Sequence, residues 1–267
     1  MHLNLLEMLL LESPHNDKFK KLLRLVSDNS FRRKQGVFVV EGLKEIEAAI
    51  VFGYEVEDIY LDVKYRDKFD PAGFGHIRTT LLSHALFSRL AYREDTSIVI
   101  ATVREPELNL EDLTLSDNPL IVILEEVEKP GNIGAILRTC DAAGVDAVIA
   151  CQQQHNFFHP NVIRSSVGTV FSTQLGCGGP EDILQWCKNH GIHIYSAALQ
   201  TDTYYTSADY TQPTAFVMGS EDKGLKNFWR KTSDGIIKIP MLGHNDSLNV
   251  SVSAAILLYE ARRQRGF

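Results

Sequence analysis

The stretch IPMLGHNDSLNVSVSAAILLY, residues 239–259, decides the fold, because it joins a strand end, a polar loop and a helix start without a break. Ile236, Ile237 and Ile239 form a short apolar β-branched run. Pro240 then ends any ladder hydrogen bonding, since its nitrogen carries no hydrogen. Gly243 to Asp246 supply turn chemistry. From Ser247 the polarity period changes: Ala254, Leu257, Leu258 and Ala261 fall at helical spacing, with Ser247 or Asn249 placed to cap the free amides of the first turn. In α/β proteins a strand ending in a capped helix start is a common seat for a small anionic or polar ligand.

Two further polar clusters stand in the same relation to a strand. KPGNIGAILRT (129–139) follows an apolar run at 120–124, with Gly131 and Gly134 allowing close backbone approach at a helix start. MGSEDKGL (218–225) follows another at 215–218, two glycines bracketing carboxylates. Taken singly, the first is also what a capped helix with a surface arginine looks like, and the second a plain turn. Three glycine-bearing loops at the carboxyl ends of successive strands make a stronger pattern.

A chain of 267 residues, 44% hydrophobic, can build two cores, and its pattern divides accordingly. Residues 1–106 alternate helices (17–27, 43–52, 83–91) with strands (37–40, 59–61, 97–103) as a small α/β domain. Residues 107–118, acidic and opening after Pro106, are expected to be a linker. Residues 119–267 alternate strands at 120–124, 147–150, 170–174, 193–197, 215–218 and 235–239 with helices at 133–143, 161–167, 181–189 and the C-terminus. Continuous apolar strands between amphipathic helices imply a mostly parallel sheet covered on both faces.

Function classes are bounded as well. A net charge of −7 argues against nonspecific coating of nucleic acid, yet residues 15–35 hold seven basic residues (Lys18, Lys20, Lys21, Arg24, Arg32, Arg33, Lys34) against Asp17 and Asp28. A solvated helix face would carry the same lysines. The leucine-rich start, Leu3 to Leu11, lacks a basic opening and is interrupted by Glu7 and followed by Glu12 and Pro14, so a short helix is expected rather than a signal peptide. No run approaches the roughly 20 apolar residues of a membrane span, and a soluble, cytoplasmic protein is expected. Cys140, Cys151, Cys177 and Cys187 form no paired motif, and His155 and His159 flank loop-like residues before Pro160. No metal is expected.

Together and in this order, the three clusters resemble the motifs of the SpoU (TrmH) family of S-adenosylmethionine-dependent RNA ribose 2'-O-methyltransferases. Motif one corresponds to Asn132 through Arg138, motif two to 219–225, and motif three to 239–243 with 247–251; NVIRSSVG (161–168) resembles the family's Arg-Ser-x-Gly element. Over the first domain, RRKQGVFVVEG (32–42) resembles the small L30e-like substrate-binding domain of many members. The resemblance implies a SPOUT α/β fold with a deep trefoil knot, a homodimer built through the knot, and ribosomal RNA as substrate. Transfer RNA, or a knotted RNA-binding protein without turnover, are the alternatives. It implies donor contacts from Leu199, Met218, Gly219, Glu221, Gly224, Ile239, Met241, Ser247 and Leu248. Asn132, Arg138, Glu221, Ser247 and Asn249 would border the reaction, and Arg32, Arg33, Lys34, Lys129, Arg138 and Arg164 would contact RNA. A guanidinium with a pKa above roughly 12 is a poor proton acceptor, so Arg138 is expected to orient and stabilise charge rather than act as base. Lys129 stands where many members carry an acidic residue. The sequence lacks a Gly-x-Gly-x-x-Gly dinucleotide fingerprint.

Overall fold

The computed structural model describes residues 8–91, 97–152, 157–220 and 222–267. By contacts the chain forms two compact units, one of 1–106 with 158–164 and one of 107–157 with 165–267.

The first unit holds a five-stranded mixed sheet of β1 (Leu10–Leu11), β2 (Val37–Glu41), β3 (Val56–Asp62), β4 (Arg78–Leu82) and β5 (Val99–Arg104) in the order β1-β4-β3-β5-β2. Helix α1 (Asp17–Ser27) is capped by Asn16, whose side chain accepts from the amides of Lys18 and Phe19. It buries Phe19, Leu22 and Leu25 against Val37, Val39 and Tyr60, each such side chain stabilising by about 1.5–3 kcal/mol. Helices α2 (Asn29–Gln35), α3 (Leu43–Val51) and α4 (His84–Phe87) complete it. The sequence pattern missed α2 and β4. The expected 83–91 helix keeps regular form only over α4, and the expected N-terminal helix fails where it is described: Leu10 and Leu11 pair in parallel with Leu81 and Leu82. An edge position in a sheet buries Leu11, which a lone amphipathic turn could not do.

The second unit is built on six parallel strands, β6 (Leu120–Glu125), β7 (Ala147–Cys151), β8 (Gln174–Gly178), β9 (His193–Ala197), β10 (Thr214–Met218) and β11 (Gly235–Ile237), ordered β11-β9-β10-β6-β7-β8. Its helices are α5 (Pro130–Ala143), α7 (Thr169–Ser172), α8 (Pro180–Asn189), α9 (Asn227–Thr232) and α10 (Val250–Arg265), whereas α6 (Pro160–Ser165) belongs, all but its last residue, to the first unit. Ile121, Ile123, Ile149, Ala215 and Val217 pack with Ile183 and Trp186 of α8 and Trp229 of α9, while the alternate residues Leu120, Val122 and Leu124 are equally buried. Burial on both faces explains the unbroken apolar strands.

Two expectations change here. The strand expected at 170–174 is instead α7 followed by β8: Gly168, at φ 84°, turns the chain, and Val170 and Phe171 are buried from a helical turn. The true strand was hidden by its glycines. A Cβ on Gly176 would sit 3.1 Å from Leu110 and Leu113, so those glycines make room for the supposed linker, which packs onto this core through Leu110, Leu113 and Leu115. Cys140, Cys151 and Cys187 are buried and all four thiols are free. Among the described residues no helix is long and apolar enough to cross a membrane.

Asp58 is the electrostatic anchor of the first unit. It accepts from Arg78 Nε at 2.5 Å and Nη2 at 2.9 Å and from Lys18 Nζ at 3.2 Å. Burial pushes its carboxyl up, but the bonds and charges of Arg78 and Lys18 outweigh this and hold it below its usual range. A lowered carboxylate contributes stability above its unfolded value that is lost as pH falls through its folded one. Asp58→Asn should therefore cost about 2 kcal/mol at neutral pH. Urea melts on the variant and the parent should draw together as the pH falls below the usual carboxylate range and converge once it passes the lowered value of folded Asp58.

Candidate active site

Because all six strands of the second unit are parallel, their carboxyl ends share one edge. The order reverses between β6 and β10: β7 and β8 extend one way, β9 and β11 the other. Such a switch point opens a crevice at the strand ends, and the loops after β6 and β10 that flank it are the first two polar clusters.

The third cluster reaches the same place from a distance. β11 lies at the sheet edge, three strand spacings or about 14 Å from β6. Yet Asn249 Nδ2 donates to Asn132 Oδ1 at 3.0 Å, so 238–249 crosses from the edge strand to the start of α5. Asn249 is also the N-cap of α10, its Oδ1 accepting from Ser251 N at 2.9 Å and Ser251 Oγ at 2.6 Å. One side chain thus starts a helix and joins the first loop to the third. Farther along, Arg262 Nε donates to Ala143 O at 2.5 Å and its Nη2 to Gly144 O, so α10 and α5 lie side by side in the same sense.

Local sequence explains this geometry. Pro130 occupies the first turn of α5, where its missing N–H costs nothing. Gly134 is obligatory, since a Cβ there would lie 1.9 Å from Ser165 Oγ and 2.8 Å from the Ser166 amide. In the second loop a Cβ on Gly219 would meet the Gly224 carbonyl carbon at 2.5 Å. Gly224 itself sits at φ 64° and donates to Ser220 O at 3.0 Å.

Arg138 lies on α5 about 9 Å beyond Asn132 along the helix axis; it is exposed and, among the described residues, has no ion-pair partner. Ser247, Leu248 and Leu199 are exposed, Gly219, Ile239 and Met241 half-buried, and Met218 buried at the end of β10. Glu221 and His155 lie outside the described residues. Among those described, no cluster of His, Cys, Asp and Glu could hold a metal.

The basic candidates divide. Arg33, Lys34 and Lys129 are exposed. Arg32 is not available to a phosphate: it is 4% exposed, and Nη1 donates to Leu25 O at 2.7 Å and Val26 O at 3.1 Å. It closes the carboxyl end of α1, and burial pulls its pKa down. Arg164 is engaged by Asn161 Oδ1 at 2.9 Å and Glu41 at 3.8 Å. One residue absent from the sequence candidates is Glu125, whose carboxylate is 1% exposed at the end of β6. Its signal is an acidic residue closing an otherwise wholly apolar strand. Burial holds its pKa above the usual carboxylate value, and the Lys226 amide and charge counter this only in part.

Residues 119–259 match the SpoU rRNA methylase family, and residues 16–101 the MRM3-like substrate binding domain. The chain belongs to the SpoU rRNA methylase family. A 23S rRNA (uridine(2479)-2'-O)-methyltransferase of Streptomyces viridochromogenes is 29% identical over 260 residues, covering 94% of this chain and 91% of the relative. A tRNA (guanosine(18)-2'-O)-methyltransferase of Thermus thermophilus is 41% identical over 148 residues, 55% of this chain and 75% of that one. The crystal structure of the SpoU methyltransferase AviRb from Streptomyces viridochromogenes in complex with the cofactor AdoMet superimposes with a TM-score of 0.85 at 28% identity, covering 94% of this chain and 98% of that one.

The residues present fit such a donor. Exposed apolar side chains follow two strand ends, Leu199 after β9 and Leu248 after β11, and Gly219 lets backbone approach closely in the loop after β10, a set that suits a flat heterocycle with polar edges.

Asn249 separates two roles. Asn249→Ala should cost about 1 kcal/mol through the lost cap. Asn249→Ser should restore melting without restoring methylation, because a serine hydroxyl caps α10 but falls short of Asn132. Equal recovery of both would show that the link to Asn132 is dispensable.

Proposed function

We propose that this chain transfers a methyl group from S-adenosylmethionine to a ribose 2'-hydroxyl of ribosomal RNA. The observation that carries this reading is the Asn249–Asn132 bond, which joins the third family motif to the first at the β6/β10 switch point, where the second also leaves its strand. When bound, S-adenosylmethionine supplies an electrophilic sulfonium methyl for in-line displacement by the 2'-oxygen.

The chain's own work is alignment and polarisation. Asn132, fixed by Asn249, sets the floor of the first loop. Arg138, held on a rigid helix with its guanidinium in solvent, orients a phosphate or stabilises the 2'-oxygen as its proton leaves. That proton passes to water, directly or relayed through the Ser247 hydroxyl as it gives up its own, not to a group whose pKa exceeds roughly 12. Glu221, Gly219, Gly224, Met218, Ile239, Met241, Leu248 and Leu199 border the donor, while Lys129, Arg33 and Lys34 meet RNA phosphates. A ribosomal RNA substrate follows the relatives that resemble this chain along nearly its whole length, and a cytoplasmic location follows that substrate.

Two finer features belong to the same proposal. The passage of 238–249 across the ends of β9 and β10 supports a trefoil knot, which an experimental chain trace checks. Exposed Leu242, Val252 and Tyr259, on and before α10, support a homodimer; a monomer in sedimentation at micromolar concentration would remove it.

Purified protein should incorporate methyl groups into 23S rRNA at ribose 2'-oxygens, and absence of turnover on ribosomal and transfer RNA alike would overturn the assignment. Arg138→Lys should lower kcat/KM by about 100-fold or more, because a point charge cannot replace a planar fork. Neutralising Arg33 and Lys34 should weaken RNA binding and reduce its salt slope by about 1–2, whereas Arg32→Ala should lower the melting temperature.

A further inference from the structure

Glu125 and Glu126 sit where β6 gives way to the first loop, and both reach Lys226, which follows the second. Glu125 Oε2 accepts from the Lys226 backbone amide at 2.8 Å, and the Glu126 carboxylate pairs with the ammonium of the same residue. Glu126 holds a left-handed backbone, φ 52°, rare for a residue with a side chain. Beside Lys226, Leu225 is 4% exposed in the core and Trp229 fully buried.

We propose that Glu125 is a positioning residue for the methyl-donor loop, its buried carboxylate fixing the 219–225 turn against β6 and so against Asn132 and Arg138. This rests on the reading of that turn as part of the donor site. Geometry favours it over simple packing. Among its described residues the second loop is also bonded within itself, by Gly224 N to Ser220 O and by Lys223 N to Ser220 Oγ at 3.1 Å. Such bonds set its shape but not its place. Its start is placed by β10, paired level with β6, and its far end by Leu225 in the core and by the amide that Glu125 holds. The Glu126 ion pair, half in solvent, contributes less. A buried carboxylate is also a poor choice for stability alone, since well-packed apolar replacements of buried charges are often neutral or stabilising.

Calorimetric titration of the full-length protein with S-adenosylmethionine, alongside RNA binding and thermal melting, tests the proposal. Glu125→Leu should weaken donor affinity by about tenfold, or about 1.4 kcal/mol, with RNA affinity unchanged. Glu125→Gln keeps an acceptor for the Lys226 amide and should stay within about threefold of the parent. Parent-like donor affinity in Glu125→Leu, or equal weakening in both variants, would overturn the role. If Glu125→Leu fails to melt cooperatively, Lys226→Pro replaces it: φ at 226 is −67°, which proline adopts, and the substitution deletes the amide itself. It should weaken donor binding by a similar factor, and parent-like binding would again refute the role. A parent protein that binds no donor would instead sink the proposed function.

Discussion

The parallel pairing of β6 with β10 is the constraint on which the rest of the second unit depends. Residues Leu120 to Leu124 match Thr214 to Met218 one for one, so the two strands end level with each other. Everything chemical is then hung from level ends: α5 leaves from one, the glycine turn from the other, and the crossing segment closes over both. A slip of one residue would reverse the facing of every side chain on the displaced strand and carry the first and second loops out of step. Complete burial of both strands makes such a slip costly, because each position is matched to cover on its own face.

Much of this was legible in the sequence. Apolar runs bounded by glycine, proline and polar residues located most strands of the parallel sheet, and Asn249 was recognisable as a cap candidate because the helical period starts just after it. The failures have physical causes. β8 is nearly invisible because Gly176 and Gly178 remove the side chains that would mark a strand, and the reason for those glycines is a leucine contact from a segment more than sixty residues earlier. β1 is too short to show a period at all. The bond between Asn132 and Asn249 joins positions 117 apart, and only three-dimensional topology could reveal it.

Charge was the least transparent signal. The basic run in the first unit looked like one surface, yet its members have been divided between tasks. Arg32 satisfies carbonyls left open at a helix end, Lys18 is held by Asp58 and Thr80, and Arg24 lies 4.1 Å over the Phe31 ring beside Asp28. A count of lysines and arginines therefore overstates what the unit can offer a polyanion. The same holds at the C-terminus, where Arg265 gives its guanidinium to the carbonyls of Tyr210, Asn118, Pro119 and Gln212 and acts as structural cement.

The placement of the two tryptophans has an optical consequence. Trp186 and Trp229 lie in the same apolar cluster beneath the parallel sheet, and the first unit contains none. Indole emission from this molecule is thus a property of the second unit alone, while tyrosines and phenylalanines carry the aromatic absorbance of the first. Trp229 lies five residues after Gly224, the second loop's last glycine, and three after Lys226, so its emission is coupled by covalent proximity to the place where that loop is held. The chain carries its own spectroscopic label, on one unit and near one edge of one sheet.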